Sequence, residues 1–188
     1  MSDLMLDVDQ AGKLKAAFRR GDWTNQEIKR LCEGDVLANV RNVLRGYATI
    51  ATVEHVIDCD ANPFVPKGWG VEEHHEGGHF KWNVPQVQLF LSEGQRGGNV
   101  LEGNKLRKEL AGKPVLNANV LDYLLANPHL IPEEWKGKYV FFWGTVYRSS
   151  DGRLFVRCLD WDGGRWGWIC YWLDDVWRGI NPAALCAS

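Results

Sequence analysis

The chain has 188 residues, 45% of them hydrophobic and 24% charged, with a formal net charge of −2. That composition excludes intrinsic disorder and leaves room for a self-sufficient core of about 140 residues with a small appendage. It carries no overall charge to draw nucleic acid, an anionic membrane or an acidic substrate, so any such partner has to be met by a local patch.

No apolar run is long enough to span a bilayer, and the first residues lack the basic start and apolar core of a signal peptide. No membrane partner is therefore expected, and the cytoplasm is the expected compartment. The five cysteines, Cys32, Cys59, Cys158, Cys170 and Cys186, are scattered without a C-x-x-C pair. That spacing suits reduced thiols rather than a disulfide framework or a zinc site. Cys158 and Cys170 flank one turn nearly symmetrically and are candidates for cross-strand neighbours.

Three short helices are expected over residues 10–46. The first carries Leu14, Ala17 and Phe18 at helical spacing and ends near Gly21. Thr24 and Glu27 then have the form of a capping box, which starts the second helix at Asn25, with Ile28 and Leu31 inward. After Gly34, Asp35 is placed to cap a third helix whose apolar side carries Val36, Leu37, Val40, Val43 and Leu44. Two helices joined by a short glycine-containing turn have the outline of a helix-turn-helix. In the recognition position, Asn39, Arg41, Asn42 and Arg45 are residue types that reach base edges or phosphates. Basic and acidic residues nearly balance over 1–47, however, which suits a partner-docking unit as well as a nucleic-acid reader.

Residues 48–58 are rich in β-branched side chains and read as a strand, with the domain boundary just before it. The segment from Val71 to His79 holds His74, His75 and His79 among acidic residues. Such groups can ligate a divalent metal, with Asp58, Asp60 or His55 completing a site if the preceding strand lies alongside. No helical metal motif is present, because Gly77 and Gly78 interrupt the spacing. The competing expectation is a polar hairpin loop between Val71 and Phe80. Strand residues follow up to Leu91, with Gln86 and Gln88 toward solvent. The stretch from Gly98 to Lys105 only superficially resembles a phosphate loop, since the Gly-Lys-Ser/Thr step is missing. Helices are expected over 104–110 and 117–126, the second ended by Asn127 and Pro128. His129 reads as a loop residue.

Most of the ten tryptophans fall in 139–177, which reads as a three-stranded meander. Residues 139–147 are apolar on both alternating faces, as in a central strand covered on both sides. Asp151-Gly152 supplies one tight turn and residues 162–165 another. Trp166, Trp168, Cys170 and Trp172 then share one face, expected to close a core against the helix at 117–126; if exposed, that row could stack bases or sugars. The tail is expected to pack only through Leu185.

The stretches DWTNQEIKRLCEGD, IDCDANPFVPKGW followed by VEEHHEGG, NKLRKELAGKPVLNANVLDYLLANPHLIPEEWKGK and FFWGTVY resemble an uncharacterised group of small bacterial proteins, nearly end to end. The resemblance implies a bacterial, intracellular protein in which helical module and body travel together, and it carries no activity, cofactor or catalytic residue.

The fold class expected is α+β: a three-helix unit over 1–47, and over 48–188 a mainly antiparallel sheet with two helices against one face and a carboxy-terminal aromatic β-meander. The leading functional expectation is a non-enzymatic binding protein that engages nucleic acid or a protein partner through Asn39, Arg41, Asn42 and Arg45, without a cofactor. The alternative is a metal-dependent hydrolase or nuclease using His74, His75 and His79 with Asp58 or Asp60.

Overall fold

A computed structural model describes residues 7–187. The expectation about a signal peptide concerns residues outside that range. The protein is α+β, and it divides between Val53 and Glu54 into two compact units.

The first unit contains α1 (Val8–Arg20), α2 (Asn25–Leu31) and α3 (Val36–Leu44). Local chemistry sets their starts. Asp7 caps α1 by accepting from the Gln10 N–H at 2.7 Å, and the Gln10 side chain returns a bond to the Asp7 N–H. The Thr24–Glu27 capping box forms at α2 as expected, and hydrogen bonds donated by the Thr24 N–H and hydroxyl lower the Glu27 carboxyl pKa. Asp35 occupies the N-cap position of α3, but its side chain makes no capping bond, contrary to the sequence reading. None of the three helices contains a buried residue.

The second unit is built on a six-stranded sheet. Its strands are β2 (Gly70–His74), β4 (Val87–Phe90), β6 (Val140–Arg148), β7 (Leu154–Trp161), β8 (Trp166–Trp172) and β10 (Ala183–Cys186). The spatial order is β4-β10-β6-β7-β8, with β2 also on β6. Two-stranded pairs flank it: β1 (Val56–Asp58) with β3 (His79–Lys81), and β5 (Leu101–Glu102) with β9 (Val176–Trp177). Strand β6 is central, as its two-sided apolar pattern demands. Its free edge is shared, because β10 pairs at Phe141 and β2 pairs from Thr145 to Arg148. The β6–β7 turn is fixed by Asp151, whose carboxyl is held down to about 2 by hydrogen bonds from Ser149 and Arg153.

Helices α4 (Gly103–Leu110) and α5 (Ala118–Ala126) lie on opposite faces of the sheet, not together on one. Val140, Phe142, Leu159 and Ala184 pack with Val120, Leu121 and Leu124 of α5, while Phe141, Trp143, Val156 and Leu185 pack with Leu106 and Leu110 of α4. Alternate residues of each strand therefore serve different layers.

Three other expectations are corrected. The strand expected over 48–58 forms only over Val56–Asp58, because Ile50 and Val53 are exposed and, among the described residues, no strand pairs with them; β-branched composition without a pairing edge does not make a strand. The tail does more than bury Leu185: Ala183–Cys186 is strand β10, wedged between β4 and β6. The segment around the histidines is not one hairpin loop, since His74 ends β2 on β6 whereas His79 starts β3 on β1. Gln86 and Gln88 face solvent as expected.

Candidate functional site

Strand β6 changes register against β7 between Phe141 and Val146, and the backbone groups freed there are used by other segments. The Gly144 N–H donates to the Leu116 carbonyl at 2.9 Å, and its carbonyl accepts from the His75 N–H at 2.7 Å. Only glycine fits, because a Cβ at this position would lie 2.9 Å from the Asn117 N, Cα and Cβ atoms. Chain segments 59, 74–75 and 116–118 thus converge on one irregularity in the central strand.

Side chains complete this junction. The Thr145 Oγ1 accepts from the Ala118 N–H at the start of α5 (3.0 Å) and lies 2.9 Å from His74 Nδ1. His74 Nε2 lies 3.0 Å from the Cys59 carbonyl, which can only accept, so Nε2 carries a hydrogen. Asn117, 2% exposed, donates to the carbonyls of Cys59 and His75 at 2.8 and 3.0 Å, while its own carbonyl caps α5 through Asn119. Every polar group is matched, which makes the cluster a clamp on the sheet. Burial pushes the neighbouring Cys59 thiol up to about 11.

The candidate metal ligands are separated by this arrangement. Both ring nitrogens of His74 are engaged inside the clamp. The Asp58 Oδ1 closes a turn by accepting from the Asp60 and Ala61 N–H groups, and the Asp60 Oδ1 accepts from the Gly78 N–H at 2.7 Å. His79 is exposed on β3, and His55 bonds the Tyr123 hydroxyl at 2.9 Å. Among the described residues no group of three or more His, Cys, Asp or Glu side chains is placed to hold a metal ion. His75 is exposed. It lines a cleft of about 570 Å³ with Glu73, Asn104, Arg107 and Lys108, and a second of about 330 Å³ with Cys59, Lys113 and Asn117. Arg107 is already paired with Glu73.

The four contact candidates of α3 divide into two pairs. Asn39 and Asn42 line a groove of about 370 Å³ with Val36, Val40, Val43 and Ile50. Arg41 and Arg45 project from another side of the helix, as their spacing requires, and both are exposed.

On the α5 face of the sheet, Arg157 of β7 is 1% exposed and grips Asp122 of α5 through both terminal nitrogens. Its guanidinium lies 4.3 Å from the Trp168 ring and 5.1 Å from Phe64. The Trp row of β8 faces α5, as its pairing with Arg157 and Leu159 dictates, but Trp168 covers this ion pair rather than aliphatic core. Lys136 sits 4.0 Å from the Trp161 ring and Arg153 sits 5.4 Å from that of Trp172. Within the row, Trp168 and Trp172 thus each have a cation of the chain itself against the ring. Cys158 and Cys170 are diagonal neighbours, opposite Ile169 and Arg157 respectively, and all five cysteines are free.

Thr145, Asn117, Asp122 and Arg157 were not singled out by the sequence reading. A visible signal existed for one: Arg157 is a charge in the middle of an apolar strand, where only a buried partner could hold it. Compared with known proteins, the chain matches no family model, no curated protein and no solved structure. Among the described residues no helix is long and apolar enough to cross a membrane.

Proposed function

We propose that the protein is a non-enzymatic binding protein whose amino-terminal unit docks a protein partner, an apolar-faced helix of that partner covering Val36, Val40 and Val43 on α3. The observation that carries this reading is that α1, α2 and α3 bury no residue although each has apolar side chains at helical spacing. Leu37 is 51% exposed and Leu44 83%, so the unit keeps its apolar surface available. A groove of about 370 Å³ between α3 and residues 48–50 gives that surface a concave form, with Asn39 and Asn42 as polar edges.

Charge favours protein over nucleic acid as the occupant. Lys13 is tied to Asp9, basic and acidic residues nearly balance, and Arg41 and Arg45 do not share the groove. The test uses the full chain and two variants, Val40→Asp and the double Arg41→Ala/Arg45→Ala. Each is titrated against labelled duplex DNA, single-stranded DNA and RNA at two salt concentrations, and each is used as bait in an extract. The expected result is a captured protein that survives high salt and the arginine changes but is lost with Val40→Asp. Nucleic-acid binding that falls steeply with salt and disappears in the double arginine variant would overturn the reading in favour of a helix-turn-helix reader.

A further inference from the structure

Strand β8 is an open edge. Sheets are commonly protected at their edges by short strands, lysine, proline or bulges. The opposite edge strand, β4, has four residues, whereas β8 has seven, Trp-Gly-Trp-Ile-Cys-Tyr-Trp, with no charge, no proline and no register shift against β7.

The phase of its ladder can be read at both ends. The Asp162 N–H donates to the Arg165 carbonyl at 3.1 Å, and the Leu173 N–H donates to the Leu154 carbonyl at 2.9 Å. Backbone groups alternate sides along a strand, so Gly167, Ile169 and Tyr171 bond β7, while Trp166, Trp168 and Cys170 direct their N–H and C=O groups away from the sheet. Among the described residues nothing else bonds those outward groups.

We propose that two copies of the chain pair antiparallel along β8 about a twofold axis at Ile169, joining two sheets into one. The sequence is self-complementary in size about that centre. Trp168 falls opposite the partner's Cys170 and Gly167 opposite the partner's Tyr171, so each large side chain meets a small one, and the two ends place Trp166 beside the partner's Trp172. The outward-facing Trp168 and Cys170 form the hydrogen-bonded pair, and Ile169 meets its own copy at the closer, non-hydrogen-bonded position. Moving the axis to Tyr171 would set Trp168 against Asp174, and moving it to Gly167 would shorten the ladder. With the axis at Ile169, the exposed Arg165 before the strand approaches the acidic Asp174-Asp175 turn after it in the other copy, at both ends.

The test combines sedimentation with two variants. Wild-type protein should sediment as a dimer over a micromolar range. Cys170→Pro removes an outward N–H without touching the β7 ladder, and should give a monomer with an unchanged far-ultraviolet spectrum. Ile169→Cys should form a disulfide-linked dimer on mild oxidation, since Cα atoms at a non-hydrogen-bonded pair lie about 4.5 Å apart, while wild type, with Cys170 opposite Trp168, should not. A wild-type chain that sediments as a monomer throughout overturns the proposal. A dimer in which Ile169→Cys fails to cross-link does the same. So does a dimer that Cys170→Pro leaves intact and Val40→Asp dissolves, which would place the contact on the helical unit.

Discussion

Replacing Asp122 by Ala isolates the most buried charge of the body. The Arg157 guanidinium gives two hydrogen bonds to that carboxylate, Nη1 to Oδ2 at 3.0 Å and Nη2 to Oδ1 at 2.6 Å, and its Nε has no acceptor. Once Asp122 is gone, the cation is left between two aromatic rings. Breaking a buried pair from one side costs about 3–5 kcal/mol. The Asp122 side chain is 34% exposed, so water can enter the space it leaves, which puts the expectation at the lower end, about 3 kcal/mol. For a body of this size that is a fall in Tm of about 10 °C. Urea unfolding followed by tryptophan fluorescence would measure it, with an unchanged m-value as the sign that the folded state is otherwise intact. The double replacement Asp122→Leu/Arg157→Met removes charge and counter-charge together, and should return to within about 1 kcal/mol of wild type. A loss below about 1 kcal/mol for Asp122→Ala would mean that Phe64 and Trp168 alone satisfy the cation. A double variant as damaged as the single would mean that shape, and not charge, holds the site together.

Two further outcomes follow from the clamp and from the thiols. Thr145→Val leaves the Ala118 N–H and His74 Nδ1 without their shared hydroxyl and should cost about 2 kcal/mol in urea unfolding, while Thr145→Ser should cost much less; equal losses would assign the effect to packing. Burial raises the Cys59 and Cys170 thiols from 9.0 to about 11 and pushes Cys158 up further. A raised folded-state pKa means that the neutral thiol is favoured in the fold. The stability it contributes is fully present below pH 9 and is lost as pH rises toward 11. The urea midpoint should therefore decline over that window, less steeply in a Cys59→Ala variant, and a thiol reagent at pH 8 should label exposed Cys32 long before Cys59 or Cys158; labelling of all five at one rate would refute the burial argument.

The features legible in the sequence were those written within a few neighbouring residues. The Thr24–Glu27 cap, the Asp151-Gly152 turn, the boundaries of α5 and the meander each depend on local backbone preference and side-chain spacing, and each is present. Strand β10 escaped because four small or apolar residues near a chain end carry no pattern of their own; they become a strand only when β4 and β6 leave a gap between them. The His segment was misread for a related reason. Whether His74 lies in a loop or a strand depends on the register change in β6, and Thr145 and Gly144 reveal that only through partners at 74–75 and 116–118.

The placement of the helices was available and was missed. Residues 139–147 are apolar at odd and even positions alike, and a strand with two apolar faces needs cover on both. With one helical pattern at 104–110 and another at 117–126, the economical solution is one helix to each side, which is what the two separate packing clusters contain. The same reasoning bears on the helical unit. Among the described residues, Phe18, Ile28, Leu31 and Val43 of α1, α2 and α3 are half-buried and none is fully buried, while Leu14, Val36, Leu37, Val40 and Leu44 stay exposed, so part of the apolar area remains open to burial.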